Sequence, residues 1–264
     1  MTAAGPAADG SPSADVRLSV VVPAYREGDR IGVTVTRLRA ALAEVVGSDG
    51  LELVVVDDGS DDPTAAEAQA AGADRVITLP ANRGKGAAVR AGALAAAGRT
   101  IAFTDADLSY APDQVLRLLA QVEAGSDMVV GNRRDAATTV VGGAGVLREV
   151  AGRLFSLATR PVLRGHYSDT QCGLKAFRRD VARRLFTAGR VNGFAFDVEL
   201  FVLAERFGLS VTQVPVRLAG SDHSTVRVGA DALRMLRDLL RIRRWAASGA
   251  YDASSPAGAP SGDI

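Results

Sequence analysis

Cysteine occurs once in the 264 residues, at Cys172, and histidine twice, at His166 and His223. A single thiol excludes a disulfide framework and a cysteine-rich zinc site, and it suits a reducing compartment. Two histidines are too few for most metal-hydrolase or triad chemistry. Lysine is scarce as well: of 31 basic residues only Lys85 and Lys175 are lysine. Where arginine serves elsewhere, a retained lysine marks a position suited to a compact ammonium. No apolar run approaches the ~18 residues that a spanning helix needs. Residues 1–16, rich in Ala, Gly, Pro and Ser, have neither the basic start nor the apolar stretch of a signal peptide. The expectation is a cytoplasmic protein without a membrane span.

Apolar residues make up 47% of the chain, enough for a sizeable core. The net charge of +1 conceals an asymmetry. Residues 1–130 hold 11 Lys+Arg against 18 Asp+Glu, whereas residues 131–264 hold 20 against 12. The acidic half suits a cation and the basic half an anion. No nucleic-acid partner is expected.

The first half alternates strand and helix patterns. Leu18 to Tyr25, a strand pattern that Pro23 ends, and Leu51 to Val56, Arg75 to Leu79 and Ile101 to Thr104 are mostly β-branched and apolar. Between them, residues 31–46, 63–71 and 87–97 have helical periodicity or small-residue composition. Such alternation predicts a parallel sheet covered by helices on both faces. Polar clusters follow three of these strands: Pro23-Ala24-Tyr25-Arg26-Glu27, Asp57-Asp58-Gly59-Ser60 and Asp105-Ala106-Asp107. In a parallel sheet all three fall on one carboxyl edge, where α/β proteins hold ligands. Asp105 and Asp107 are two apart, so an extended backbone would present both on one side. Two carboxylates that close favour a divalent cation and the anion it brings.

In the second half, residues 112–124 and 127–130 predict a helix and a strand leading to Gly131-Asn132-Arg133. A Gly-rich loop then precedes an Arg-bearing helix over 146–163. The stretch from Ser168 to Lys175 is expected as a loop, followed by a helix over 179–185, another opened by Gly193 to Leu200 and running to about Phe207, and a strand over 210–217. Residues 229–245 predict a last helix carrying Arg234, Arg237, Arg241, Arg243 and Arg244 among leucines. It is either a packed helix with a solvated basic face or a helix lying on anionic lipid headgroups.

Asn82-Arg83-Gly84-Lys85-Gly86 lacks the Ser or Thr and the spacing of a P-loop. It can still bring backbone N–H groups and one ammonium to a diphosphate. Asp197 and Glu199 either complement a helix amino end or orient an arginine.

Taken together, Val20 to Glu27, Val54 to Ser60, the Asn82 to Gly86 loop and Asp105-Ala106-Asp107 resemble the GT-A fold, family 2 glycosyltransferases. Asp169-Thr170-Gln171-Cys172-Gly173-Leu174-Lys175, Phe196 to Leu200 and Val214-Pro215-Val216 resemble its polyprenyl/dolichyl-phosphate glucosyltransferase and mannosyltransferase branch, nearest the glucosyl side. The similarity spans about Leu18 to Arg243. It implies a GT-A domain over 17–220, to which residue pattern and composition add a basic amphipathic helix region over 221–247 and disordered tails over 1–16 and 248–264. It also implies sugar transfer with inversion from UDP-glucose or GDP-mannose to a polyprenyl phosphate, at the inner face of a membrane.

By the same resemblance, Pro23, Tyr25, Glu27 and Asp57 hold the base and ribose. Lys85 sits near the diphosphate, Asp105 on the donor ribose or sugar, and Asp107 on Mg²⁺ or Mn²⁺. Arg133, Arg148 and Arg227 meet the lipid phosphate, and Asp105, Asp107 and Asp197 are the candidate catalytic residues. Two positions depart from the pattern: Arg26 stands where the family usually has Asn, and Arg227 replaces a late lysine. The competing readings are transfer to a glycan or small-molecule hydroxyl, and a non-catalytic nucleotide-binding partner of a membrane complex.

Overall fold

Alternation along the first strand explains the layering of the molecule. In the computed structural model, which describes residues 16–141, 159, 162–165, 167–219 and 228–252, β1 spans Leu18–Ala24. Its Leu18, Val20 and Val22 enter one apolar cluster and Val21 the other. The neighbouring β2 (Leu51–Asp57) is divided in the same way, with Leu53 and Val55 opposite Val54 and Val56. A strand buried on both faces needs helices on both sides. The first face takes α1 (Gly28–Val46) through Ile31, Val35, Leu38 and Leu42, and α4 (Asp113–Glu123) through Val115, Leu118, Leu119 and Val122. α2 (Thr64–Ala70) packs beside α1. The second face takes α3 (Lys85–Ala95), α5 (Arg179–Ala188) and α6 (Phe196–Arg206).

The small residues of α3 have a steric cause. A Cβ on Gly92 would come within 2.4 Å of a Val21 methyl and 2.9 Å of one on Val56. The helix therefore lies almost on the sheet.

The seven-stranded sheet runs β3-β2-β1-β4-β7-β5-β8. Here β3 is Arg75–Thr78, β4 Thr100–Phe103, β5 Met128–Asn132, β7 Lys175–Arg178 and β8 Val211–Pro215. All its pairings are parallel except those of β7, which runs antiparallel between β4 and β5. A separate parallel pair joins β6 (Thr139–Val141) to β9 (Arg217–Ala219). The mostly parallel sheet with helices on both faces is thus the architecture expected from sequence.

Two expectations need correcting. Residues 175–178, of which Lys175 is expected in a loop and 176–178 in no element, form β7. Lys-Ala-Phe-Arg has no β-branched residue and is charged at both ends, so it does not read as a strand. Residues 248–252, expected within the tail, pack on the body instead, because Tyr251 is fully buried and Arg206 pairs with Asp252 beyond α7 (Val228–Ala247). The Gly-rich loop and the Arg-bearing helix expected over 141–163 lie almost wholly outside the described residues.

Candidate active site

Because β7 runs against its neighbours, its amino end meets their carboxyl ends. Lys175 pairs in register with Phe103, the last residue of β4. The loop before β7, Asp169 to Leu174, therefore lands on the edge that carries Tyr25, Asp57 and Asp105. That antiparallel insertion brings the second-half motif to the first-half crevice.

The pair Asp57-Asp58 serves two purposes. Asp57 is 2% exposed and accepts hydrogen bonds from the Ser60 backbone N–H at 3.0 Å and its hydroxyl at 2.5 Å. Asp58, which sequence reasoning left without a role, accepts from the Arg83 and Gly84 backbone N–H groups at 2.8 and 2.7 Å. It holds the Asn82 to Gly86 loop to the end of β2. Gly59 makes that approach possible: its φ is +71°, and a Cβ there would meet the Ala81 backbone at 2.4 Å.

Lys85 opens α3, and its ammonium forms an ion pair with Asp105. Burial works against its charge, but Asp105, Asp197 and Asp107 around it prevail and hold its pKa above the ordinary value. Asp107 accepts from the Ser109 N–H at 2.9 Å and its hydroxyl at 2.7 Å. The two carboxylates do not converge by strand alternation, as an extended backbone would have it. β4 ends at Phe103, and residues 104–108 form a turn in which the Leu108 N–H donates to the Asp105 carbonyl at 3.3 Å. Turning, rather than extension, presents both acids.

Among the described residues no three His, Cys, Asp or Glu side chains form a metal cluster. A Mg²⁺-type ion shared with a diphosphate takes only one or two carboxylates from the protein. The half-buried, oxygen-only Asp105 and Asp107 fit that requirement.

Tyr25 is 37% exposed at the mouth, and the Arg26 guanidinium lies 5.3 Å from its ring centre. Arg26 has φ +55°, a conformation that asparagine tolerates better than most residues. The fork of Arg26 to Asp61, two contacts of 2.7 Å, holds it there. Glu27 pairs with Arg30 at 2.8 Å. Burial raises its pKa in spite of Arg30, and Asp107 and Asp105 add to the rise.

On the other side, Asp169 is 4% exposed and receives a bidentate contact from Arg133, with Nε at 2.7 Å and a terminal nitrogen at 2.8 Å. The Arg133 N–H donates to it as well, at 3.0 Å. Burial would raise the Asp169 pKa, yet these bonds keep it below the usual carboxylate range. Three residues on, Cys172 packs where a side chain on Gly131 would stand, and Gly173 presses on Asp105, whose carboxylate would meet a Cβ there at 2.0 Å. One loop thus touches both the arginine and the D-x-D turn.

Asp197 is not bound to an arginine. It accepts from Lys175 at 2.5 Å, and Lys175, 0% exposed, also donates to the Cys172 carbonyl at 2.6 Å. Burial raises the Asp197 pKa more than Lys175 and Lys85 lower it. Glu199 is likewise buried, accepting from the Arg190 and Val191 N–H groups and the Tyr251 hydroxyl, with the Arg90 guanidinium nearby favouring its charge. Its helix-end position is structural. Asp169 and Lys175 were the residues that sequence reasoning quoted without using, and the scarcity of lysine was the available signal. Arg148 and Arg227 lie outside the described residues.

The family model described as Glycosyl transferase family 2 matches residues 19–186. The dolichyl-phosphate beta-glucosyltransferase of Drosophila melanogaster is 36% identical over 252 residues, covering 90% of this chain and 77% of that protein. The human dolichyl-phosphate beta-glucosyltransferase is 32% identical, covering 89% and 77%. Among solved structures, glucosyl-3-phosphoglycerate synthase from Mycobacterium tuberculosis, crystallised with Mn²⁺, UDP and glucosyl-3-phosphoglycerate, superposes with a TM-score of 0.67. It is 26% identical, and the match covers 86% of this chain and 80% of that one.

Proposed function

The chain belongs to glycosyl transferase family 2, and from that membership we propose that it moves glucose from a nucleotide-sugar, UDP-glucose, to a polyprenyl phosphate of the dolichyl type. The observation that carries this reading is the shared loop. Asp169 fixes Arg133, while Gly173, four residues later, abuts Asp105. An anion held by Arg133 would meet a donor held at Asp105.

Pro23, Tyr25, Glu27 and Asp57 line the end of the crevice that takes the nucleoside. Lys85 leaves Asp105 for the diphosphate, and its raised pKa keeps it charged. Asp107 and Asp105 would hold Mg²⁺ or Mn²⁺, which supplies positive charge to the departing nucleoside diphosphate. Arg133, preorganised by Asp169, positions the acceptor phosphate, with Arg148 and Arg227 as further candidates. That phosphate is already anionic, so no strong base is required. Asp197, committed to Lys175 in the interior, acts as a positioning group and not as a base. A single displacement inverts the anomeric carbon, giving a β-linked product from an α-linked donor. The acceptor's lipid places the reaction at a membrane face, on the cytoplasmic side.

The second reading is transfer to a hydroxyl of a phosphorylated small molecule. It is favoured by the phosphoglyceric acid recorded with the mycobacterial synthase, since Arg133 suits either phosphate. Labelled UDP-glucose with polyprenyl phosphate decides between them, scored as label extracted into organic solvent and released by mild acid. Arg133→Ala should lower that transfer about ten- to hundredfold, as one charge-assisted phosphate contact does, with UDP affinity nearly unchanged. Label confined to water-soluble products overturns the lipid acceptor.

A further inference from the structure

The last helix shows two faces with different chemistry. Leu239 and Ile242 of α7 are buried, at 4% and 0% exposure, in the cluster that includes α6. Trp245 packs against the same cluster. Leu233, Leu236 and Leu240 are 72%, 45% and 63% exposed. Their spacing of three and four aligns them in one stripe turned away from that packing. Exposed arginines flank the stripe at 234, 237, 241, 243 and 244. Between 233 and 247 the single acid is Asp238, half-buried and paired with Arg241 at 3.3 Å. Three neighbouring leucines in water are hard to reconcile with an ordinary solvated face, which would be polar throughout.

We infer that this stripe is a docking surface for an anionic lipid bilayer, with Leu233, Leu236 and Leu240 entering the headgroup boundary and the arginines meeting lipid phosphates. Charge selects this occupant. A second copy paired on the same stripe would bring its row of arginines against this one, like charge against like charge. A bilayer supplies both the apolar depth and the negative charge that the row demands. Among the described residues no helix is long and apolar enough to cross a membrane, so the contact is parallel to the surface. α7 also passes beside the crevice. A Cβ on Gly193 would lie 3.6 Å from the Asp238 carboxylate, and the adjoining Asn192 carbonyl abuts Gly84 of the Lys85 loop. Docking would therefore hold the crevice near the bilayer, a purpose that rests on the lipid-acceptor reading, although the binding itself does not.

The test is sedimentation of the full chain with phosphatidylcholine–phosphatidylglycerol vesicles containing no polyprenyl phosphate and no nucleotide. Wild-type protein should bind these vesicles, bind pure phosphatidylcholine far less, and lose binding as salt screens the charge. Arg237→Gln, Arg243→Gln and Arg244→Gln together should lower partitioning on the order of a hundredfold, at roughly fivefold per charge. Leu233→Gln, Leu236→Gln and Leu240→Gln together should lower it by at least about tenfold. A control on the exposed Val33 and Val45 of α1, both changed to Gln, should change nothing. Unchanged circular dichroism and melting temperature show that the exposed sites tolerate the changes. Equal sedimentation of variants and wild type overturns the inference, as does a wild-type dimer that the leucine variant dissolves. If vesicle binding fails while glucose transfer in detergent persists, only the docking surface falls. Transfer failing with binding intact removes only the lipid-acceptor reading.

Discussion

Both lysines of the chain stand in one run of alternating charge, and this gives the rarest basic residue type a physical account. Lys85 pairs with Asp105, and Lys175 with Asp197. Lys175 lies against the rings of Phe103 and Phe201, at 5.5 and 5.9 Å. A planar guanidinium would need more donors satisfied than the Cys172 carbonyl and one carboxylate provide. Removing one partner of a buried pair leaves the other charge uncompensated. Lys175→Met should thus cost about 3–5 kcal/mol, read as a fall in the urea midpoint at constant slope. Lys175→Met with Asp197→Leu should recover most of that loss, because an apolar pair of similar volume replaces both charges. Asp169 gives a pH signature at the same scale. Its folded pKa lies below the ordinary 3.8 because the Arg133 bonds outweigh burial. Its stabilisation is present above 3.8 and is lost as pH falls through the depressed folded value. The melting temperature of Asp169→Asn should therefore trail wild type at neutral pH and close the gap in acid.

Among the elements, α7 and the turn after it are joined to the site through α6. Tyr251 is fully buried and donates to Glu199 at 2.8 Å, and Glu199 accepts the Arg190 and Val191 N–H groups that lead toward Asn192. Arg190 extends to the Ala250 carbonyl at 2.7 Å, and Arg206 to Asp252. Tyr251→Phe keeps the ring and removes one donor from a buried carboxylate. It should cost about 1–2 kcal/mol in denaturant unfolding. It should leave UDP affinity almost unchanged, since Glu199 retains its two backbone donors. A larger effect on UDP than on stability would mean that this end of the chain sets the Lys85 loop directly.

For the whole molecule, the crevice exists because four separated stretches end on one sheet edge. UDP with Mg²⁺ or Mn²⁺ should bind the folded chain only, and at a hundred times its dissociation constant stabilise it by about 2.7 kcal/mol. The expected result is a rise in melting temperature that EDTA removes and that Asp107→Ala lacks. A full rise in EDTA would dismiss the cation from donor binding.

Much of this was legible in the residues alone. Runs such as Val20-Val21-Val22 and Leu53-Val54-Val55-Val56 can satisfy burial on both faces only in a covered parallel sheet, and polar clusters just past such runs can lie only at its carboxyl edge. Local pattern and chain order therefore determined the layers and the first-half side of the crevice. Lys175–Arg178 was beyond that reach, because a charged-ended stretch without β-branched residues does not read as a strand, and its strand identity comes from partners at Thr100 to Phe103 and Met128 to Val130. For the same reason the clamp of Asp169 on Arg133, 36 residues apart, and the contact of Gly173 with Asp105 waited on the fold. Alternation misled at Asp105 and Asp107 because the turn after Phe103 overrides it. The leucines and arginines of the last helix read equally as packed or exposed, since sequence spacing gives a helix its stripes without saying which stripe meets the body. Tertiary packing decided that, burying Leu239 and Ile242 and leaving Leu233, Leu236 and Leu240 in the open.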